Sequence, residues 1–343
     1  MARIPLSDTV AALFTPGKGI LAADESVRTA GKRLRAVGAA DSAEMRRQYR
    51  ELFFTAPGMA AYLSGVILFA ETFHQATSSG IPFVRLLAEH RVLPGIKVDL
   101  GTVAMPNFPD ETVTEGIDGL AGRLMQYAAA GARFTKWRAV VRIGGELPSA
   151  TCLTANAHLL ARFAAESQAA GLVPIVEPEV LLEGSHSIAE AEAETERTLR
   201  AVFEQLAAYR IDLRGAVLKT SMVVPGRESG EPMVPGHVAR ATVRVLQRAV
   251  PEEMGGVVFL SGGQTPVQAT ENLQAIAALG PHRWPVTFSY ARALQEEALA
   301  VWRGRTEAAA AAQRAFMRRL QLAAAAQSGS YSAGLETGRE ERT

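Results

Sequence analysis

The chain has 343 residues, 48% of them hydrophobic, with 36 Lys+Arg against 35 Asp+Glu and a formal charge of +1. That hydrophobic share excludes a disordered chain, and the balanced charge gives no global pull toward nucleic acid or membrane, so an anionic ligand must meet a local cluster. The single Cys152 excludes disulfides within the chain and fits a reducing cytoplasm, and no run approaches the ~20 apolar residues of a membrane span, so a soluble, cytoplasmic chain is expected.

Short β-branched and apolar runs alternate with longer segments of helical period, the pattern of repeated βα units. Strands are predicted at 19–23, 65–70, 95–98, 134–140, 173–176, 215–219, 256–260 and 285–289. Helices are predicted between them at 41–56, 111–129, 156–170, 187–209, 237–249 and 265–278. Ser187 with Glu190 has the Ser-x-x-Glu spacing of a capping box. The breaker-rich stretch 225–236 follows the sixth strand and reads as a loop at a site mouth. Residues 308–326 form an Ala-rich helix outside the core, and the polar segment beyond it reads as mobile.

Length alone allows two domains or one α/β barrel. No Pro/Gly/Ser linker divides the chain, and eight strands separated by helices close most economically as a (β/α)8 TIM barrel. The expected organisation is a single domain over 1–327, with extra helical segments at both ends, and a flexible tail over 328–343.

Splitting the basic residues is more informative than summing them. Only five are lysines: Lys18, Lys32, Lys97, Lys136 and Lys219. Composition bias explains an Arg-rich surface but not which lysines survive it. Where a primary amine must attack a carbonyl or lose its proton, Arg cannot serve. On the predicted barrel, Asp24 and Glu25 follow the first strand, Lys97 and Asp99 close the third, and Lys136 and Arg138 lie in the fourth. Glu177 and Glu179 end the fifth strand, Lys219 the sixth, Ser261-Gly262-Gly263 the seventh, and Arg292 follows the eighth. Residues two apart in a strand share a face, and in this fold chemistry sits at the carboxyl ends of the strands. A lone buried charge could be a structural ion pair. Several converging from different strands are poorly explained by stability, because ion pairs often fail to repay desolvation. Neighbouring ammoniums should also depress one another's pKa and free one amine as a nucleophile.

The segments Gly17-Lys18-Gly19-Ile20-Leu21-Ala22-Ala23-Asp24-Glu25-Ser26, Gly95-Ile96-Lys97-Val98-Asp99, Lys136-Trp137-Arg138, Val176-Glu177-Pro178-Glu179 and Leu260-Ser261-Gly262-Gly263 resemble class I fructose-1,6-bisphosphate aldolases, in family order over roughly residues 10–335. The resemblance implies a metal-independent glycolytic lyase without a cofactor, a homotetramer acting on a phosphorylated sugar. It implies Lys219 as the Schiff-base lysine, Glu177 as general acid/base, Lys136 as a polarising cation and Asp24 as a partner of the reacting hydroxyls. It further implies Glu179 as the carboxylate that orients the lysines. Ser261, Gly262 and Arg292 would hold the C1 phosphate, and Lys97, Arg138, Thr29 and Lys32 the other.

The chain departs from the family pattern in three places. Ala291 stands where the family has glycine, Thr220-Ser221 where many members have Pro-Asn, and the chain ends in Thr343 rather than the tyrosine of animal members. Tyr331 matches an internal family tyrosine, so enamine protonation is expected from barrel residues or water.

The six histidines show no metal-ligand spacing, Cys152 has no histidine near it in sequence, and Gly116, Gly119 and Gly122 are read as lying within a helix rather than in a dinucleotide loop. The alternatives are the same chemistry on sedoheptulose 1,7-bisphosphate or fructose 1-phosphate, or a catalytically silent scaffold that kept the fold.

Overall fold

The computed structural model describes residues 5–337. Among these residues there are ten strands: β1 (Gly19–Ala23), β2 (Leu63–Leu68), β3 (Leu93–Lys97), β4 (Gly101–Ala104), β5 (Thr112–Glu115), β6 (Phe134–Val141), β7 (Val173–Val180), β8 (Val217–Thr220), β9 (Val257–Phe259) and β10 (Val286–Tyr290). Eight of them close a barrel in the order β1-β10-β9-β8-β7-β6-β3-β2, and every barrel pairing is parallel. The predicted (β/α)8 TIM barrel is the observed fold. β4 and β5 stand apart as an antiparallel pair.

Strand periodicity sorts the interior into layers. Ile20 and Ala22 on β1, Ile67 on β2, Phe134 on β6, Val173 and Ile175 on β7, Val217 on β8 and Val258 on β9 form one inner cluster. Val10 and Leu13 of the helix Leu6–Leu13 join that cluster and close the barrel's amino-terminal end. A Cβ on Gly95 would lie 2.2 Å from the Phe134 ring, so glycine there admits the aromatic that fills the barrel. Two residues further along the same faces, the layer turns polar: Lys136 follows Phe134, Glu177 follows Ile175, Lys219 follows Val217 and Asp24 follows Ala22. Apolar packing below thus sets the height at which charge collects. The second, larger core lies between the strands and the surrounding helices.

Caps fix the helix starts. Ser187 and Glu190 form the predicted capping box, with Ser187 N–H donating to Glu190 Oε2 at 2.7 Å and Glu190 N–H to Ser187 Oγ at 3.2 Å. Thr265 and Gln268 form a second one, ahead of Pro266. Ser149 caps Ala150–Ala169, so that helix starts six residues earlier than its apolar period suggested.

The predicted helix 111–129 is corrected. Its first part is β5, whose Thr112-Val113-Thr114 run pairs with β4, and the helix itself spans Leu120–Ala129. Gly116 at φ 121° and Gly119 at φ 68° interrupt the chain between them, leaving only Gly122 of the three glycines in a helix. The sequence reading also missed the helices Val27–Ala36, Phe83–Glu89 and Arg292–Trp302. The predicted flexible tail differs from the structure over its first ten residues. Tyr331 is buried, its hydroxyl donates to Glu336 Oε1 at 3.0 Å, and Glu336 pairs with buried Arg319 at 2.7 Å. The remainder of that predicted tail, 338–343, lies outside the described residues.

Candidate active site

At the carboxyl end of the barrel is a cavity of about 610 Å³, and all twelve predicted site residues line it: Asp24, Thr29, Lys32, Lys97, Lys136, Arg138, Glu177, Glu179, Lys219, Ser261, Gly262 and Arg292. Each inward strand position contributes one charge, so neighbouring strands place their groups side by side. Lys136 Nζ lies 2.7 Å from Asp24 Oδ2 and 2.7 Å from Glu177 Oε2, while Lys219 Nζ lies 3.0 Å from Glu177 Oε1. The four side chains form an unbroken chain of alternating charge, and all are buried.

Burial alone would drive each of these groups toward its neutral form; their neighbours reverse that. Burial raises the Asp24 pKa, but Lys136, Lys219 and Lys97 outweigh it and hold the carboxyl below its ordinary range. Glu177 is likewise held low against burial, by Lys136, Lys219 and Arg138. For Lys136, burial is outweighed by Asp24, Glu177 and Asp99, and its pKa rises. The expectation that neighbouring ammoniums depress one another is therefore corrected at Lys136, where interleaved carboxylates dominate.

A second group of cations lies nearer the mouth. Arg138 Nε pairs with Glu179, and Lys97 pairs with Asp99, which also accepts the Arg138 N–H at 3.2 Å. Glu179 thus engages an arginine, whereas the resemblance implied that it orients lysines; the register places Glu179 opposite Val140, two residues beyond Arg138 on β6. Thr29 and Lys32 sit three apart on the helix Val27–Ala36, so both face the cavity from one side. After the neighbouring strand β10, Arg292 opens the helix Arg292–Trp302 and brings a helix amino terminus to the cavity, a favourable place for an anion. Ala291 before it has φ −104°, so no left-handed geometry demands glycine there.

Sequence reasoning missed several lining groups. Arg33 lines the cavity and pairs with Glu25, which also meets buried Arg50 at 2.6 Å. Ser289 presents a buried hydroxyl without a hydrogen-bond partner among the described residues. Its inward position on β10, two residues after Thr287, was the available signal. Lys18 proves structural: its ammonium donates to Ala60 O at 2.6 Å, away from the cavity. Cys152 is a packed residue, with burial first and Glu111 second pushing its thiol up to about 11. No histidine lines the cavity, and no group of three metal-ligating side chains occurs among the described residues. Among those residues no helix is long and apolar enough to cross a membrane.

A family model described as glycolytic fructose-bisphosphate aldolase class-I matches residues 5–343. The chain is 49% identical to a probable fructose-bisphosphate aldolase class 1 of Xylella fastidiosa, over 87% of this chain and 89% of the relative. It is 49% identical to the cytosolic fructose-bisphosphate aldolase 4 of Arabidopsis thaliana, over 94% of this chain and 83% of that one. Among solved structures, the Plasmodium falciparum fructose-bisphosphate aldolase, determined in a ternary complex with TRAP and a small-molecule inhibitor, superposes with a TM-score of 0.94. That match has 44% identity and covers 96% of this chain and 95% of that chain. The buried Lys-Glu-Lys-Asp chain at the barrel mouth therefore has a lineage as well as a geometry: this chain belongs to the class I fructose-bisphosphate aldolases.

Proposed function

We propose that the protein cleaves fructose 1,6-bisphosphate reversibly to dihydroxyacetone phosphate and glyceraldehyde 3-phosphate through a Schiff base on Lys219. The observation that carries this reading is the contact of 3.0 Å between Lys219 Nζ and Glu177 Oε1, deep in a cavity rimmed by further cations. Glu177, kept ionised by its neighbours, is a base that can take a proton from the Lys219 ammonium. The freed amine adds to the C2 carbonyl, and Glu177 returns the proton as the C2 oxygen leaves as water. The resulting iminium accepts the electron pair of the C3–C4 bond as the C4 hydroxyl gives its proton to Glu177, a carboxylate again after the dehydration, and C4 leaves as the aldehyde of glyceraldehyde 3-phosphate. Asp24, which is also ionised, accepts hydrogen bonds from the hydroxyls at the cleavage centre, and Lys136 polarises the reacting oxygens. The enamine takes its proton at C3 from barrel residues or water; buried Tyr331 is engaged with Glu336 and does not line the cavity. Hydrolysis of the last iminium releases dihydroxyacetone phosphate and restores Lys219.

Two phosphates are accommodated by two groups of side chains. Ser261, Gly262 and Arg292 receive the C1 phosphate, and Lys97, Arg138, Thr29 and Lys32 the other. The presence of cations in both groups favours a bisphosphate over fructose 1-phosphate. Borohydride reduction with dihydroxyacetone phosphate, followed by mass mapping, should trap an adduct on Lys219 alone. Lys219→Arg should keep the charge and abolish turnover, because guanidinium cannot form the imine. Substantial activity in that variant, or an adduct on Lys136, would overturn the assignment.

The working form is proposed to be a cytoplasmic homotetramer. Cytosolic relatives support the compartment. Leu100 and Met125, 71% and 64% exposed, are apolar surface available for association, and light scattering reporting a monomer would refute the assembly.

A further inference from the structure

The loop that follows the Schiff-base strand does more than connect it to the next helix. Gly226 N–H donates to His186 O at 2.8 Å, Arg227 N–H to Leu182 O at 2.9 Å and Glu228 N–H to Gly184 O at 2.9 Å. These bonds lay the loop after β8 directly on the loop after β7. The approach requires a glycine, since a Cβ on Gly226 would come within 2.3 Å of Gly184 O. Ser221 Oγ fastens the same two strand ends, donating to Val180 O at 2.8 Å.

From this ladder two groups reach the next loop round the barrel. Leu182, whose carbonyl holds Arg227, also packs its side chain under Gly263, with Cδ2 2.3 Å from where a Cβ would stand. Arg227 is exposed, yet its Nη2 donates to Gly263 O at 2.9 Å. Gly263, at φ 78°, is the third residue of a turn that Gln264 N–H closes onto Ser261 O at 3.2 Å. On the other side, Glu179 Oε1 stands 2.8 Å from the Cβ position of Gly262. The N–H groups of Gly262 and Gly263 find no acceptor among the described residues, so the turn offers free amide donors beside the cavity. Such donors discriminate an anion only if the turn is held still, and among these braces Arg227 is the one made by a side chain at the surface.

We infer that Arg227 is a positioning residue for phosphate binding: its bond to the Gly263 carbonyl fixes the Ser261–Gln264 turn, so that the turn's amides are preset for the substrate's C1 phosphate. It touches no substrate itself, because it does not line the cavity. The inference rests on the proposed placement of the C1 phosphate at this turn. It also gives the β8 loop a role in binding that is separate from the chemistry of Lys219.

Arg227→Ala and Arg227→Lys in the full chain test it, with Ser261→Ala as the marker of the phosphate site. Losing the bond should raise KM for fructose 1,6-bisphosphate and the inhibition constant of inorganic phosphate by about fivefold each, with kcat changed less than about twofold. Lysine can donate to the same carbonyl and should restore most of the loss. The melting temperature should stay at the wild-type value, since the side chain is exposed. Condensation with dihydroxyacetone, which lacks the phosphate, should not distinguish Arg227→Ala from wild type. If Ser261→Ala weakens phosphate and Arg227→Ala does not, the positioning role fails alone. If neither variant changes phosphate inhibition, the placement of the C1 phosphate fails and the role of Arg227 falls with it. A kcat loss in Arg227→Ala that matches the loss with dihydroxyacetone would also overturn the proposal.

Discussion

Lys136 holds two buried carboxylates, Asp24 and Glu177, at 2.7 Å each. Breaking such a buried arrangement by removing one partner costs far more than the intact arrangement contributes, on the order of 3 kcal/mol. The sign of its pH dependence follows from the shifts. Asp24 and Glu177 have folded pKa values below their unfolded ones, so their contribution is fully present above the ordinary carboxylate range and is lost as pH falls toward the folded values. Lys136, with a raised folded pKa, contributes fully below the ordinary lysine pKa and loses its share only in strong alkali. The cluster should therefore stabilise the fold across neutral pH and weaken in acid. Asp24→Asn should be less stable than wild type by about 3 kcal/mol at pH 7, the gap narrowing below about pH 4 as the wild type loses its own charge pair. Urea denaturation at both pH values measures this, and a gap that widens in acid would reverse the argument.

The elements beyond the barrel divide into those that carry the site and those that lock the frame. The short helix Ala333–Glu336 belongs to the second kind: through Glu336 it supplies the close carboxylate for Arg319, which also donates to Pro266 O and Thr270 Oγ1 and has Glu297 at 3.8 Å. Deleting residues 332–343 leaves that buried guanidinium without its close carboxylate and should cost about 2 kcal/mol of stability. The same deletion should lower kcat by less than about tenfold, or ~1.4 kcal/mol of barrier, because nothing in 332–337 lines the cavity. Unchanged stability would refute the docking role, and a hundredfold fall in kcat with equally slowed C3 proton exchange would make the segment catalytic. This docking was invisible in the sequence, where a polar stretch after an Ala-rich helix carries no sign of a partner at Arg319. Most barrel strands were legible because they are short apolar runs next to glycine or proline, as in Gly19–Ala23. The β4–β5 pair was not, since Val113 and Thr114 also fit the helical period of the residues that follow. Much of the cavity lining was legible: Asp24, Lys97, Lys136, Arg138, Glu177, Glu179 and Lys219 from their places at strand ends, Thr29 and Lys32 only from the family resemblance. Its pairings were not: which cation meets Glu179 depends on β6–β7 register, and Arg50 reaches Glu25 from the helix Ala43–Phe54 to the loop after β1.

At the scale of the whole molecule, a formal charge of +1 hides a strong local asymmetry. The cavity is lined by seven cationic side chains, Lys32, Arg33, Lys97, Lys136, Arg138, Lys219 and Arg292, against five carboxylates, Asp24, Glu25, Asp99, Glu177 and Glu179. The innermost carboxylates are consumed by buried pairs, so the excess positive charge faces the mouth, where a bisphosphate carrying about −3 to −4 would enter. Pairs buried in the barrel are screened weakly by salt, whereas charges near the mouth are screened over a Debye length of about 10 Å at 0.1 M. Binding and chemistry should therefore separate under salt. Raising NaCl from about 0.02 to 0.2 M should increase KM for fructose 1,6-bisphosphate several-fold while leaving kcat within about twofold. Fructose 1-phosphate, with one phosphate fewer, should give a shallower slope, and Arg292→Ala should flatten the slope for both substrates. Steady-state kinetics in a salt series decides the matter. A KM independent of salt would mean that the mouth cations are neutralised by their own carboxylates. A kcat falling in step with ionic strength would instead place the screened charges at the reacting carbons.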